Sequence, residues 1–408
     1  MDFVTLLLAV AAVSALYMAW NIGANDVANA MGTSVGSGAL TLRQALVAAA
    51  IFELAGAVFF GSTVTETIAN GIVSVSTLPV DAAEVAAGLT CCLISAALWL
   101  HFATQRGWPV STTHAIVGSV LGFGLVVGGP EAIEWPLVGT IALGWIISPV
   151  LGGFVAWLLF RTIQQRVLQA ARPARGLLGL GPVAVFVMLA IPSFALLVDP
   201  RPPLAFGQRW TVATPIALGA GLAGALVTRV WLGRELRDGR HKTADRLFVR
   251  LQVVTACFIA LAHGSNDVAN AVGPMAGVFA ALGGRLADSV AVPMNLLLIG
   301  AVGIVLGLAT FGYRVMATIG REITELTAAH GFAAELGAAL TIVVASEFGL
   351  PVSTTQVLVG AVVGVGLSRS IGAINLRVVR EIAFSWVSTV PVTAALAALL
   401  TFLVSLLF

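Results

Sequence analysis

The sequence predicts an all-α polytopic membrane protein of about twelve transmembrane segments, built from two inverted-topology repeats of five segments with broken or re-entrant half-helices. Three observations predict it. Of 408 residues, 59% are hydrophobic and only 10% charged, with a mean hydropathy of +1.00, whereas soluble domains carry about 25% charge. Apolar runs recur at the length a bilayer requires, and two motifs occur twice in the same order. The same composition excludes other classes. A net charge of +2 gives no nucleic-acid footprint, and Cys91, Cys92 and Cys257 lie in apolar stretches without metal-ligand spacing. No nucleotide-binding loop is present, which argues against an ATP-driven pump. No nucleophile–base pair or metal site marks an enzyme, so no enzymatic activity and no cofactor are expected.

A spanning helix needs about 20 predominantly apolar residues. On that measure the spans are 3–20, 43–62, 84–104, 109–129, 135–160, 177–198, 212–233, 247–263, 292–313, 332–348, 351–368 and 381–407, with those near 109 and 351 readable as half-helices. The first run, from Phe3 to Trp20, follows Asp2 rather than a basic residue and reads as a membrane helix, not a removable signal. Alternate connections on one side hold 18 of the 21 Lys and Arg, leaving only Arg201, Arg209 and Arg285 on the other. The positive-inside rule then puts both termini outside the cytoplasm, in a multi-pass protein of the plasma (inner) membrane.

Gly23-Ala-Asn-Asp-Val-Ala-Asn-Ala30 recurs as Gly264-Ser-Asn-Asp-Val-Ala-Asn-Ala271 at an offset of 241. Gly107-Trp-Pro-Val-Ser-Thr-Thr113 recurs as Gly349-Leu-Pro-Val-Ser-Thr-Thr355 at 242, and Trp145 matches Trp386. A fainter echo at 251 joins Phe60-Gly61, Val64 and Thr67-Ile68 to Phe311-Gly312, Val315 and Thr318-Ile319. The chain thus divides into a first repeat (1–160), two linking helices with basic loops (161–245) and a second repeat (246–408). Seven crossings precede the second repeat, and an odd number turns it upside down. Inverted repeats whose interrupted helices meet near the midplane are a recurrent architecture of secondary transporters.

Pro-Val-Ser-Thr-Thr is a helix-start signal. Inside a membrane, the free N–H groups and positive dipole end of such a start favour an anion, and the hydroxyls of Ser111, Thr112, Thr113, Ser353, Thr354 and Thr355 add donors. Two such starts facing one cavity suit a tetrahedral oxyanion. A single copy would read as no more than a capped, proline-broken helix. Asn-Asp-x-x-Asn supplies hard oxygens: Asp26 with Asn29, and Asp267 with Asn270, stand three apart on one helical face. A carboxylate beside an oxyanion makes sense when cations lie between them. Polar glue between small-residue helices is the competing reading, but an Asp at the bilayer centre costs about 2.5 to 3.5 kcal/mol.

These residues resemble the inorganic phosphate transporter (PiT) family, the phosphate permeases and sodium/phosphate symporters, over almost the whole chain. The resemblance implies a twelve-span carrier that moves inorganic phosphate with sodium or protons by alternating access. It places phosphate near the two Ser-Thr-Thr triplets and cations near Asn25, Asp26, Asn266 and Asp267, and it finds the family's acidic positions at Glu53 and Glu335. The full candidate phosphate set is Ser111, Thr112, Thr113, Ser353, Thr354, Thr355, Asn25 and Asn266. The candidate cation set is Asp26, Asp267, Asn29, Asn270, Glu53 and Gln356, with sodium held through Asp26 and Asp267. Sodium is favoured because the full Gly-Ala-Asn-Asp-Val-Ala-Asn-Ala form resembles the sodium-dependent branch. Proton coupling, metal-phosphate transport and sulfate or another oxyanion are the alternatives. Expected partners are phosphate, sodium or protons and the lipid bilayer, with a homodimer left open.

Several residues receive a weaker reading. Glu53 sits mid-span, and the echo offset gives it Ile304 as counterpart. Glu335 and Glu347 could lie within a turn of a helix end, where long side chains snorkel, and for Glu347 that reading is preferred. His114 and His263 adjoin the motifs, and Gln356 stands where the first motif has His114. The basic connection 233–247 reads as a solvated loop.

Overall fold

A computed structural model describes residues 3–70, 72–73, 78–198, 206–237, 244–284, 292–317 and 322–406. Arg201, Arg285 and the echo residues Thr318-Ile319 lie outside the described residues. The helices are α1 Phe3–Gly36, α2 Leu42–Phe60, α3 Ser62–Asn70, α4 Ala82–Gln105, α5 Thr112–Val127, α6 Trp135–Ile163, α7 Pro173–Val198, α8 Phe206–Arg237, α9 Ala244–Asp267, α10 Ala269–Leu282, α11 Met294–Phe311, α12 Tyr313–Ala317, α13 Ala328–Glu347, α14 Thr354–Leu367 and α15 Leu376–Ser405. Among the described residues, ten spans are long and apolar enough to cross a membrane, α9 and α10 together forming one of them. α5 and α14, with 16 and 14 residues, extend only about 24 and 21 Å, short of a hydrocarbon core of about 30 Å. They are the half-helices.

The half-helices follow from one local design used twice. α4 and α13 end in a left-handed glycine, Gly107 (φ 68°) and Gly349 (φ 66°). Around each, Trp108 N–H donates to the Ala103 carbonyl and Leu350 N–H to the Ala345 carbonyl, while the glycine N–H groups bond Thr104 and Ser346. This is a Schellman stop, and a Cβ at either glycine would strain it. The next residues run extended through Pro109 and Pro351, and Ser111 and Ser353 then cap the new helices by accepting from the N–H groups of His114 (3.1 Å) and Gln356 (3.2 Å).

The repeats exchange partners. α2 packs on α9 and α11 on α1, while α5 packs on α15 and α14 on α6. The contacts match residue for residue: a Cβ at Gly23 would strike the Ile304 carbonyl, and one at Gly264 the Glu53 carbonyl. Gly118 and Gly360 meet the carbonyls of Val390 and Pro149 in the same way. Glu53 and Ile304 therefore do occupy equivalent places. α7 and α8 form a hairpin outside this pattern, with α8 leaning on α7.

Two differences from the sequence reading concern the Asn-Asp motifs. α1 continues to Gly36, well past residue 20, so the first motif lies within wound helix. The second crosses a break at Val268. Pro274, within α10, also leaves the Asn270 carbonyl without its N–H, whereas the equivalent residue in α1 is Thr33. The short helices α3, α10 and α12 were not expected from hydropathy either. Outside, large apolar side chains such as Val150 and Val387 are exposed, and inside, carboxylates and amides are buried. That inversion belongs to a protein whose solvent is lipid.

Candidate functional site

The two half-helix starts meet at the centre, cross-linked by the repeats' asparagines. Asn29 Nδ2 donates to Thr355 Oγ1 (2.8 Å) and Thr354 Oγ1 (3.5 Å). Asn270 Nδ2 donates to Thr112 Oγ1 (3.1 Å) and Thr113 Oγ1 (3.3 Å). Thr113 Oγ1 donates to the Val352 carbonyl and Thr355 Oγ1 to the Val110 carbonyl, at 3.1 and 3.2 Å. Each motif thus contacts the extended segment of its mate, and all six hydroxyl residues are buried.

Asn25 and Asn266 sit one layer behind. Asn25 Nδ2 donates to Thr104 Oγ1 (2.9 Å) and the Trp108 carbonyl (3.0 Å), and its Oδ1 accepts from Val110 N–H (3.3 Å). Asn266 Nδ2 donates to the Val352 carbonyl (2.9 Å), and its Oδ1 accepts from Ser346 (3.4 Å). Their polar atoms brace the proline-containing segments and the side chains of Thr104, Ser346 and Asp267.

The carboxylates lie between the half-helices. Asp267 Oδ2 accepts from Thr354 Oγ1 (2.7 Å) and lies 2.7 Å from His263 Nε2, while Oδ1 accepts from Asn266 (2.8 Å) and Asn270 (3.4 Å). Asp26 Oδ1 accepts from Thr355 Oγ1 (3.4 Å). Three buried acceptor oxygens here have no hydrogen-bond donor among the described residues: Asp26 Oδ2, Asn29 Oδ1 and Asn270 Oδ1. Ligand atoms of Asp26, Asp267 and His263 all lie within 4.8 Å of one another. Two unit negative charges at that distance repel by about 3 to 4 kcal/mol at an effective dielectric near 20. Buried oxygens lacking donors and paired like charges both call for a cation.

Glu53 reaches this cluster indirectly, its Oε1 lying 3.3 Å from His263 Nδ1. Gln356 hydrogen-bonds His114, whose ring packs on Trp145 with centroids 3.9 Å apart and whose Nδ1 lies 3.2 Å from the Trp386 carbonyl. Glu335 is 0% exposed, so of the two readings open to it snorkelling does not hold. Its Oε1 accepts from Thr33 (2.6 Å), Ser34 (2.6 Å) and Gln252 (3.1 Å), and its Oε2 accepts from Thr255 (2.6 Å), which ties α1, α9 and α13 together. Four donors satisfy the carboxylate without a counter-ion, which is why it stays inside. Thr33, Ser34, Gln252 and Thr255 went unread in the sequence. The available signal was Gln252 and Thr255 three apart in an apolar helix. Glu347, the last residue of α13, is exposed.

The profile of the phosphate transporter family matches residues 22–397. The chain belongs to that family. A solved structure titled the sodium-dependent phosphate transporter superposes with a TM-score of 0.92 at 36% identity, covering 98% of this chain and all of the other. Among named relatives, the inorganic phosphate transporter 2-1, chloroplastic, of Arabidopsis thaliana is 44% identical over 95% of this chain and 70% of its own length. A protein of Chlamydia trachomatis named as a phosphate permease is 40% identical over 99% of both chains. This family moves its substrate across a membrane, and the chain is a multi-pass membrane transporter, not an enzyme.

Proposed function

We propose that the protein is a symporter of inorganic phosphate driven by a sodium gradient, working by alternating access at the central site. The observation that carries the proposal is the pairing of two inverted, serine-capped half-helix starts across two buried carboxylates. The N–H groups and hydroxyls at Ser111 to Thr113 and Ser353 to Thr355 receive the phosphate oxygens. Asp26, Asp267, Asn29 and Asn270 hold sodium, cancelling the repulsion that would otherwise exclude the anion. Asn25 and Asn266 position the half-helices, and Glu53 acts through His263. The name of the structural relative, 36% identical, supports sodium as the coupling ion. Each repeat, 1–160 and 246–408, supplies half the site, and 161–245 links them. The termini face away from the cytoplasm in the inner membrane, as the basic residues indicate.

One specific arrangement favours a second reading. The His263 imidazole bridging Glu53 and Asp267 could pass a proton, giving proton-coupled phosphate transport. Uptake of labelled phosphate into proteoliposomes under an imposed sodium or proton gradient, with sulfate as competitor, separates the two. Uptake that follows sodium and resists sulfate is expected. Uptake indifferent to sodium yet abolished with the proton gradient would overturn sodium coupling, and equal competition by sulfate would overturn phosphate selectivity.

A further inference from the structure

A groove of about 590 Å³ opens on the outer face of the helix pair α6 and α14. Its floor is bare backbone, where Gly360 and Gly364 meet the carbonyls of Pro149 and Gly153. Phe154, Trp157 and Trp386 wall it. Val150 and Phe154 are 68% and 57% exposed, so the groove faces the hydrocarbon rather than the transport site. One end is cationic. The Arg161 guanidinium sits 5.2 Å from the centroid of the Trp157 ring, and Arg380, the neighbour of groove-lining Val379 in α15, is exposed and borders an adjoining pocket together with Glu322 and Glu381. Among the described residues, neither arginine lies within ion-pair distance of a carboxylate.

The pseudo-twofold mate of this groove provides an internal comparison. Gly118 and Gly122 approach Val390 and Ala394 in the same backbone fashion. Yet at the 241 offset Phe154, Trp157 and Arg161 become Ala395, Ala398 and Phe402, and Arg380 becomes Gly139. At the place of Trp386 the mate groove keeps an aromatic residue, Trp145, so what sets this groove apart is Phe154, Trp157 and the arginines. These lie on the side to which most basic residues belong, which is where anionic headgroups concentrate.

We infer that this groove binds an anionic glycerophospholipid, an acyl chain lying between Phe154 and Trp386 and the headgroup phosphate resting on Arg161 and Arg380. An aliphatic chain fills an apolar slot that no protein side chain closes. An arginine stacked on an aromatic ring offers its fork to a phosphate. The chain lies against α14, so the lipid braces the half-helix that begins at Ser353.

The test uses the full protein in nanodiscs of mixed phosphatidylglycerol and phosphatidylcholine, with retained lipid counted by native mass spectrometry after delipidation. Wild-type protein should retain phosphatidylglycerol over phosphatidylcholine, and Arg161→Gln should cut that preference about fivefold, as should Arg380→Gln, in line with the loss of one basic contact. Arg43→Gln, in the first turn of α2, which does not line the groove, should change nothing and guards against a general charge effect. Where an arginine variant does not fold, quenching of Trp157 by bromine-labelled phosphatidylglycerol acyl chains in wild type, lost in Trp157→Phe, reads the same site. Equal retention of the two lipids by wild type would overturn the inference, as would a preference that survives both arginine substitutions. Displacement of the retained lipid by millimolar inorganic phosphate would also overturn it, because the arginines would then serve the substrate path.

Discussion

The two repeats share their hydroxyls and amides but not their charges. Thr112 and Thr354, Thr113 and Thr355, and Asn29 and Asn270 hold matching positions and make matching bonds, whereas Asn25 and Asn266 match in position but bond differently. The acids and imidazoles do not match. Glu53 faces Ile304 across the pseudo-twofold, Glu335 corresponds to Leu93, His263 to Ile22 and His114 to Gln356. Only Asp26 and Asp267 are charged in both halves. Groups that hold a tetrahedral anion profit from symmetry, because the anion presents similar oxygens to both sides. Groups that set charge balance need be present once, and each buried copy costs desolvation. In the proposed reading the shared hydroxyls receive the phosphate, the shared carboxylates with Asn29 and Asn270 hold the cation, and the unshared Glu53 and His263 adjust the charge around them.

The largest effect that separates these classes should come from the shared carboxylates. Asp267→Asn keeps the size and removes a charge that now meets a threonine, a histidine and two asparagines, so sodium-driven uptake should fall by more than about a hundredfold, equivalent to about 3 kcal/mol. Folding should be kept, as read by monodisperse elution. Asp26→Asn should fall comparably, and near-normal sodium dependence in both would leave the carboxylates a packing role only.

Next comes an unshared acid. Glu335→Leu copies the residue of the other repeat but strands four donors, and should destabilise the protein by about 3 to 5 kcal/mol. Glu335→Gln, which still accepts, should lose less. Thermal unfolding in detergent reads both, and a Leu variant as stable as wild type would show that the cage contributes nothing to the fold. The smallest effect is expected at Glu53. Because it acts through His263, Glu53→Gln should raise the sodium concentration for half-maximal uptake about tenfold, or about 1.4 kcal/mol, while phosphate affinity at saturating sodium stays within about twofold. A reversed pattern would place Glu53 at the anion.

Much of this architecture was legible in the sequence because its signals are local. Glycine, proline and serine at fixed spacing encode the stop, the extended segment and the cap without help from the rest of the chain, and Ile304 as the counterpart of Glu53 followed from a fixed offset. Long-range pairing was not legible. That Asn29 would reach Thr355 and Asn270 would reach Thr112 depends on how the repeats interlock, and neither partner carries a mark of the other. The cage around Glu335 was hidden for the same reason: its four donors come from two distant helices, so the sequence left a buried place and a snorkelling one both open. The first Asn-Asp motif was cut from its helix because polar residues lower hydropathy whether or not the backbone breaks.

The central claim is that one phosphate is shared by both half-helices, and equilibrium binding of labelled phosphate at fixed saturating sodium tests it most directly. Thr112→Ala and Thr354→Ala should each weaken binding about ten- to a hundredfold, the loss of one charge-assisted hydrogen bond worth about 1.5 to 3 kcal/mol. Serine at either position should restore most of it. The double variant should lose less than the product of the two, since both contacts position the same ligand. If Thr354→Ala leaves phosphate affinity unchanged while Thr112→Ala abolishes it, the site is not shared, and the second motif is a broken helix with a good cap.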